Sequence, residues 1–302
     1  MQPTTTATEQ EIEALVEDLF QRSGHDFRQY SRDSRRRRIM GFLSAERRTA
    51  VTQLRPRLDD DPTCLARLLN ALSVSVTAMF RDPEVFRVIR TEVLPRMATY
   101  PVVRVWLAGC ASGEEAWSLA ILLHEEGLYE RSRIYATDMN AAVLETAQAG
   151  IFSIRMMREY TLNYQRAGGG DFAQYYTAAY GFAKFDSALA RHMVFAQHNL
   201  AVDGSFNEFH LILCRNVMIY FDTALQIRVH QLLYDSLAHS GVLCLGSKES
   251  LRPNPNAHRY AVLNAAHRLY RKTDETPGRK LAYDIRVPTD RAPYQGWNRD
   301  QV

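Results

Sequence analysis

A doubly wound α/β sheet preceded by a small helical unit is the fold this chain of 302 residues predicts, and three observations carry that prediction. Val102-Val-Arg-Val-Trp-Leu107 reads as a strand, Gly109-Cys-Ala-Ser-Gly113 as a tight turn of small residues, and Glu114-Glu-Ala-Trp-Ser-Leu-Ala120 as the start of a helix. A second strand over 133–137 then ends in Asp138, which is the order in which such sheets build a nucleoside pocket. Small residues admit the ligand to the backbone, and an acid ending the next strand accepts hydrogen bonds from ribose hydroxyls. Further strand-like runs over 193–196, 209–214, 242–245 and 268–272 alternate with helical patterns. The first eighty or so residues show helical spacing only. A hydrophobic content of 46% supports a substantial core.

From the amino terminus, Ile12, Leu15, Val16, Leu19 and Phe20 follow helical spacing until Gly24, so a helix is expected over 9–23. A short helical stretch follows around Arg35-Arg-Arg-Arg38, with Ile39, Phe42 and Leu43 as its buried face and the arginines spread around the turn. Asp61-Pro62 offers an N-cap with proline in the first turn, after which Leu65, Leu68, Leu69 and Leu72 line one face. Asp82-Pro83 repeats the signal and opens a helix through Val85, Phe86 and Ile89 that Pro95 should close. A later helix over 223–239 is bracketed by the Thr223-x-x-Gln226 box and Gly241. Between Gly150 and Met193 lie about forty residues, more than an αβ connection needs, so this stretch is expected to be an insertion. It holds Gly168-Gly-Gly170, the tyrosines Tyr175, Tyr176 and Tyr180, and Gly181-Phe-Ala-Lys-Phe185 with the look of short edge strands. A flexible, aromatic-bearing protrusion there would be a candidate for substrate docking. Past Lys272 the chain turns polar and proline-bearing, which predicts a disordered tail. The expected plan is a helical domain over 1–80, a linking helix over 81–101, an α/β domain over 102–272 with an inserted β subdomain at about 151–192, and a tail over 273–302.

A net charge of +3 is too small to imply a nucleic-acid or membrane partner. With no leader-like segment or membrane-length apolar run read in the sequence, a cytoplasmic protein is expected. Cys64, Cys110, Cys214 and Cys244 are widely separated and read as buried thiols, and without paired Cys-x-x-Cys or His-Glu-x-x-His spacing no metal is expected. His198 has no carboxylate at meaningful spacing and reads as structural. RNA binding would use the arginines at 35–38, but no aromatic residues interleave with them.

Five words then narrow the function: Ser75-x-Thr-x-Met-Phe-Arg81-Asp-Pro83, Gly109-Cys-Ala-Ser-Gly-Glu-Glu115, Ala136-Thr-Asp138, Asn199-Leu200, and Phe209-His-Leu-Ile-Leu-Cys-Arg-Asn-Val-Met-Ile-Tyr-Phe-Asp222. In this order they resemble the CheR family of chemotaxis methyltransferases, from the first helices to about Arg271. The resemblance implies a class I methyltransferase (Rossmann-like) domain with a helical N-terminal domain and an inserted β subdomain. It implies S-adenosylmethionine as methyl donor, S-adenosylhomocysteine as product, and transfer to glutamate side chains on the cytoplasmic helices of chemoreceptors, opposed by a methylesterase. By the same resemblance Thr77, Arg81, Gly109, Glu114, Asp138, Asn199, Leu200, Arg215 and Asn216 should surround the donor, Arg81 and Tyr220 should form the active-site pair, and Arg35, Arg36 and Arg38 should face the acidic receptor helices. A monomer, recruited to membrane receptor arrays without inserting in the bilayer, is the expected state. The chain departs from the family pattern at Ser75, at Met79-Phe80 and at Gly246-Ser-Lys-Glu249. The altered Gly246-Ser-Lys-Glu249 word and the insertion leave open a related methyltransferase acting on another protein, RNA or a small molecule; a separate alternative is a non-catalytic donor-binding signalling module, against which the presence of both Arg81 and Tyr220 argues.

Overall fold

In the amino-terminal unit, helix α1 (Glu9–Ser23) opens with a capping box between Thr8 and Glu11 and closes at Gly24 in the left-handed conformation. Helices α2 (Arg32–Ala45), α3 (Arg55–Asp60) and α4 (Pro62–Leu72) follow. The fold is that of a computed structural model, which describes residues 7–73 and 77–273. Ile12, Leu15, Val16 and Leu19 pack with Ile39, Phe42, Leu43, Leu68 and Leu72 into a core of their own. The Asp61 carboxylate caps α4 by accepting from Thr63 N at 2.9 Å. The stretch expected to be short around the arginines is the 14-residue α2.

Asp82 does not cap the next helix. Its backbone is left-handed (φ 56°) and its side chain makes no cap bond, because its carboxylate is taken by Arg215. Helix α5 (Pro83–Val88) passes through a wide π turn at Ile89–Val93 into α6 (Leu94–Met97), so Pro95 does not stop the helix. It sits in the first turn of α6, where its missing N–H is tolerated.

Strand β1 (Val103–Ala108), helix α7 (Glu114–Glu125), strand β2 (Ser132–Asp138) and helix α8 (Ala141–Ala149) lead into the insertion. There β3 (Ile151–Ser153), α9 (Met157–Arg166), β4 (Tyr176–Ala179) and β5 (Phe182–Phe185) form a separate antiparallel sheet of order β3-β5-β4. Helix α9 went unforeseen, although Met157, Tyr160 and Tyr164 carry its buried spacing. Among the tyrosines expected to protrude, Tyr175 is buried and only Tyr180, at the β4–β5 turn, is fully exposed.

The main sheet continues with β6 (Met193–Gln197), β7 (Phe209–Cys214), helix α10 (Thr223–Ser236), β8 (Leu237–Leu245), β9 (Tyr260–Asn264) and β10 (Leu269–Lys272). Its order is β6-β2-β1-β7-β8-β10-β9. The first five run parallel, and β10 lies antiparallel to both β8 and β9. The chain thus winds outward from β1 on one side and then on the other, leaving a switch point between β1 and β7. Strand β9 was not foreseen. The helix expected over 223–239 stops at Ser236 and is capped by Asp222, not Thr223. Gly241 lies inside β8, and Gln226 donates to the carbonyls of Met218 and Phe221. Side chains alternate across the sheet: Val103, Val105 and Leu107 face α5 and α7, while Trp106 and Ala108 face α10. The predicted disordered tail, from residue 274 onward, lies outside the described residues, as does Ser75. No helix among the described residues is long and apolar enough to cross a membrane.

Phe80 is fully buried and joins the linking helix to the insertion, its ring lying 5.1 Å from those of Phe86 and Tyr164 and 6.1 Å from that of Phe172. Phe80→Ala is expected to lower unfolding free energy by about 3–5 kcal/mol in denaturant titrations. A loss under about 1 kcal/mol would mean that the site collapses around the gap.

Candidate active site

A cavity open to solvent lies at the carboxyl ends of β1, β2 and β7, at the switch point of the sheet. Its floor is the turn after β1. Gly109 N and Cys110 N both donate to Thr137 O, at 2.8 and 2.9 Å, and Ala111 N donates to Asp138 Oδ2 at 3.0 Å. Gly109 is left-handed (φ 81°), and a Cβ there would stand 2.5 Å from Val217 Cγ2 across the cavity wall, so a side chain is excluded by conformation and by space. The second Asp138 oxygen accepts from Asn140 N at 3.0 Å. Burial pushes the Asp138 carboxyl above the usual carboxylate range, and the amides of Asn140 and Ala111 pull the other way.

Among the residues named from the sequence, Thr77, Arg81, Gly109, Asp138, Asn199, Leu200, Arg215, Asn216 and Tyr220 line this one cavity. Glu114 does not. It is buried, its carboxylate accepting from Ser112 Oγ at 2.7 Å and Tyr160 Oη at 3.3 Å, and it is Glu115 that reaches the cavity wall. Burial raises the Glu114 carboxyl above its ordinary range, opposed by the Ser112 hydroxyl. Arg215 lines the wall with its two terminal nitrogens bonded to protein, Nη1 to Glu115 and Nη2 to Asp82 Oδ2 at 2.7 Å and the Arg81 carbonyl at 3.1 Å, while its buried Nε meets no acceptor among the described residues. Burial works against its charge, and the Glu115 and Asp82 carboxylates more than offset that, holding the guanidinium above its usual value. The side-chain oxygen of Asn199 is likewise engaged, accepting from Ala201 N at 3.0 Å. His198 lines the wall with its ring edge-on to Trp106 and Nε2 3.1 Å from Gly204 O.

The helical unit closes the other side. Tyr30 and Ser73 line the cavity, and the seam is a β-bridge in which Ser31 N donates to Tyr220 O at 2.8 Å and Asp222 N to Gln29 O at 2.9 Å. Arg38 lies over the Tyr220 ring at 4.5 Å and donates to Leu72 O at 2.9 Å. Of the arginines expected to face a partner, Arg35 is corrected to a buried structural residue, donating to Arg28 O and pairing with Glu9. Its place four residues before the buried Ile39 was the signal. Arg36 and Arg37 are exposed, Arg36 donating to Ala7 O at 2.8 Å, and Arg38 is part-buried against the Tyr220 ring without itself lining the cavity. Sequence reasoning missed Glu115, Tyr30, Ser73 and Val217. For Tyr30 and Ser73 no local signal exists, because only the docking of two units brings them to the cavity.

The cavity joins a glycine cradle to an oriented carboxylate at the carboxyl edge of the sheet. Arg81 adds a planar cation, so the residues fit a donor such as S-adenosylmethionine. No group of His, Cys, Asp or Glu suited to a metal occurs among the described residues.

Residues 75–267 match the family described as "CheR methyltransferase, SAM binding domain", and residues 10–73 match "CheR methyltransferase, all-alpha domain". A protein named putative methyltransferase Cher3 from Pseudomonas putida is 47% identical, spanning 88% of this chain and 98% of that protein. A chemotaxis protein methyltransferase of Listeria innocua is 30% identical across 80% of this chain and 90% of its own. Chemotaxis protein methyltransferase 1 of Vibrio cholerae is 31% identical across 61% of this chain and 67% of its own.

All four cysteines are buried and unpaired by disulfides. Burial pushes each thiol up, Cys244 to about 12. Titration of the native protein with an aromatic disulfide at mildly alkaline pH is therefore expected to leave all four unreacted, and all four should react at once in denaturant. Fast native reaction at Cys110 would show that the cavity opens to reagent.

Proposed function

Because the chain belongs to the CheR methyltransferase family and its donor is S-adenosylmethionine, we propose that it methylates glutamate side-chain carboxylates of chemoreceptors, giving glutamate methyl esters in chemosensory adaptation. The observation that carries this reading is the convergence of Arg81, Asp138 and Tyr220, from three separate parts of the chain, on one cavity at the switch point of the sheet. The names of the Listeria and Vibrio relatives add support.

When bound, the donor supplies a methyl group on a positively charged sulfonium, open to attack in line by a carboxylate. Asp138 holds the ribose hydroxyls, its carboxylate already oriented by Ala111 N and Asn140 N. Thr77, Gly109, Asn199, Leu200 and Asn216 shape the rest of the donor pocket. A glutamate side chain has a reference pKa of about 4.3 and is ionised at neutral pH, so no strong general base is required. Arg81 offers a planar fork of donors that fixes the direction of a carboxylate. Tyr220 offers its hydroxyl to the substrate oxygen, and Arg38 over its ring restrains that side chain. Tyr30 and Ser73 shield the reacting groups from water on the side of the helical unit. Exposed Arg36 and Arg37 on α2 offer positive charge to acidic receptor helices.

Incubation with methyl-labelled S-adenosylmethionine and membranes of the protein's own host should give receptor-sized labelled bands whose label mild alkali releases as methanol. Alkali-stable label, or label on RNA or small molecules, would overturn the glutamate assignment. Donor binding without transfer to any receptor would favour a signalling module. Arg81→Ala is expected to abolish transfer, and Tyr220→Phe to lower kcat by about a hundredfold. Asp138→Ala should weaken S-adenosylhomocysteine binding by about tenfold or more in calorimetry. Because its carboxyl is held above the usual range, wild-type affinity should fall as pH drops through that raised value. Affinity unchanged down to the ordinary carboxylate range would contradict the ribose role.

A further inference from the structure

Glu249, in the turn after β8, is 5% exposed, and its carboxylate accepts from four backbone N–H groups. Oε1 takes Val217 N at 2.9 Å and Met218 N at 2.8 Å; Oε2 takes Asn216 N at 3.0 Å and Gly246 N at 2.6 Å. Three of these donors are consecutive, so the turn after β7 is a concave nest of amides of the kind that binds an anion. Here the anion belongs to the chain itself. The nest is bent by Asn216, a non-glycine residue in the left-handed region (φ 60°), a conformation that persists only where neighbours enforce it. The same turn places Asn216 and Val217 on the cavity wall and runs through a short 3-10 turn, Met218–Tyr220, to the proposed catalytic tyrosine.

We propose that Glu249 is a positioning residue for methyl transfer: its carboxylate holds the turn at residues 216–218 so that Asn216 meets the donor and Tyr220 meets the substrate. This rests on the reading of the cavity as the donor site. Glu249 touches neither ligand and acts through the turn. Only a carboxylate suits the role, because glutamine would present an NH2 donor to amides that need an acceptor. Gly246 approaches from the opposite side, where a Cβ would stand 2.8 Å from both Asn216 N and Glu249 Oε2. The clamp therefore needs both residues.

The full-length protein, with S-adenosylhomocysteine as probe, tests this by calorimetry, thermal melting and steady-state kinetics on receptor-containing membranes. Glu249→Gln is expected to weaken probe binding by about tenfold or more and to raise the donor KM, while the folded protein still melts cooperatively. Glu249→Asp, a shorter carboxylate, should recover part of that affinity, and the exposed neighbour Ser247→Ala should bind as wild type does. Gly246→Ala should weaken binding as Glu249→Gln does, and it decides the matter if Glu249→Gln does not fold. Wild-type affinity and KM in a folded Glu249→Gln protein, or in Gly246→Ala when that is the deciding variant, overturn the positioning role and leave the donor site standing. A wild-type protein that binds no S-adenosylhomocysteine overturns the donor site and the positioning role with it.

Discussion

The turn after β1 and the end of β2 are locked together by backbone donors, and the candidate site is arranged around that lock. Thr137 O receives two consecutive amides, and the carboxylate of the next residue receives a third from Ala111. The turn cannot drift without breaking the edge of the sheet, and Asp138 cannot rotate without stranding buried amides. Its orientation is thus settled before any ligand arrives, which removes an ordering cost from binding. On the far side of β1, strand β7 delivers the chain from Arg215 to Tyr220 to the same edge.

Buried charge does the remaining alignment. Arg215 joins Asp82 beside Arg81, Glu115 at the start of α7 and its own place after β7, so three walls of the cavity meet at one guanidinium. Such a cluster adds little net stability, since desolvation offsets much of the attraction, but removing a carboxylate leaves the buried Arg215 guanidinium short of a counter-charge. Its value is geometric: it fixes the backbone at Arg81. The network of Arg90, Glu125, Tyr164 and Tyr175 does the same for the insertion, tying it to α7 and the linking helix.

What the sequence made legible was what local chemistry decides. The α1 cap at Gly24, the Asp61-Pro62 start of α4 and the strand Phe209–Cys214 follow from signals within a few residues. What it hid depends on distant partners. Asp82-Pro83 looks like a cap until Arg215, far along the chain, claims the carboxylate. Glu114 and Glu115 are indistinguishable as letters; Ser112 and Tyr160 turn the first inward and Arg215 draws the second to the cavity. Strand β9 is short and half-exposed, needs β10 beside it to exist as a strand, and carries no strong alternation of its own. The arginine run was read for its charge, while helical phase had already assigned Arg35 to the interior.

The seam at Tyr30 and Phe221 has a consequence for what counts as a module in this protein. The boundary between the two matched family regions falls between residues 73 and 75, yet Tyr30 and Ser73 on one side share a cavity with Thr77, Asp138 and Tyr220 on the other. Each half has its own hydrophobic core, but neither half alone encloses the cavity. The heritable unit is therefore the pair. A gene fusion or recombination that exchanged either half would leave an open groove unless it also preserved the few residues of the seam.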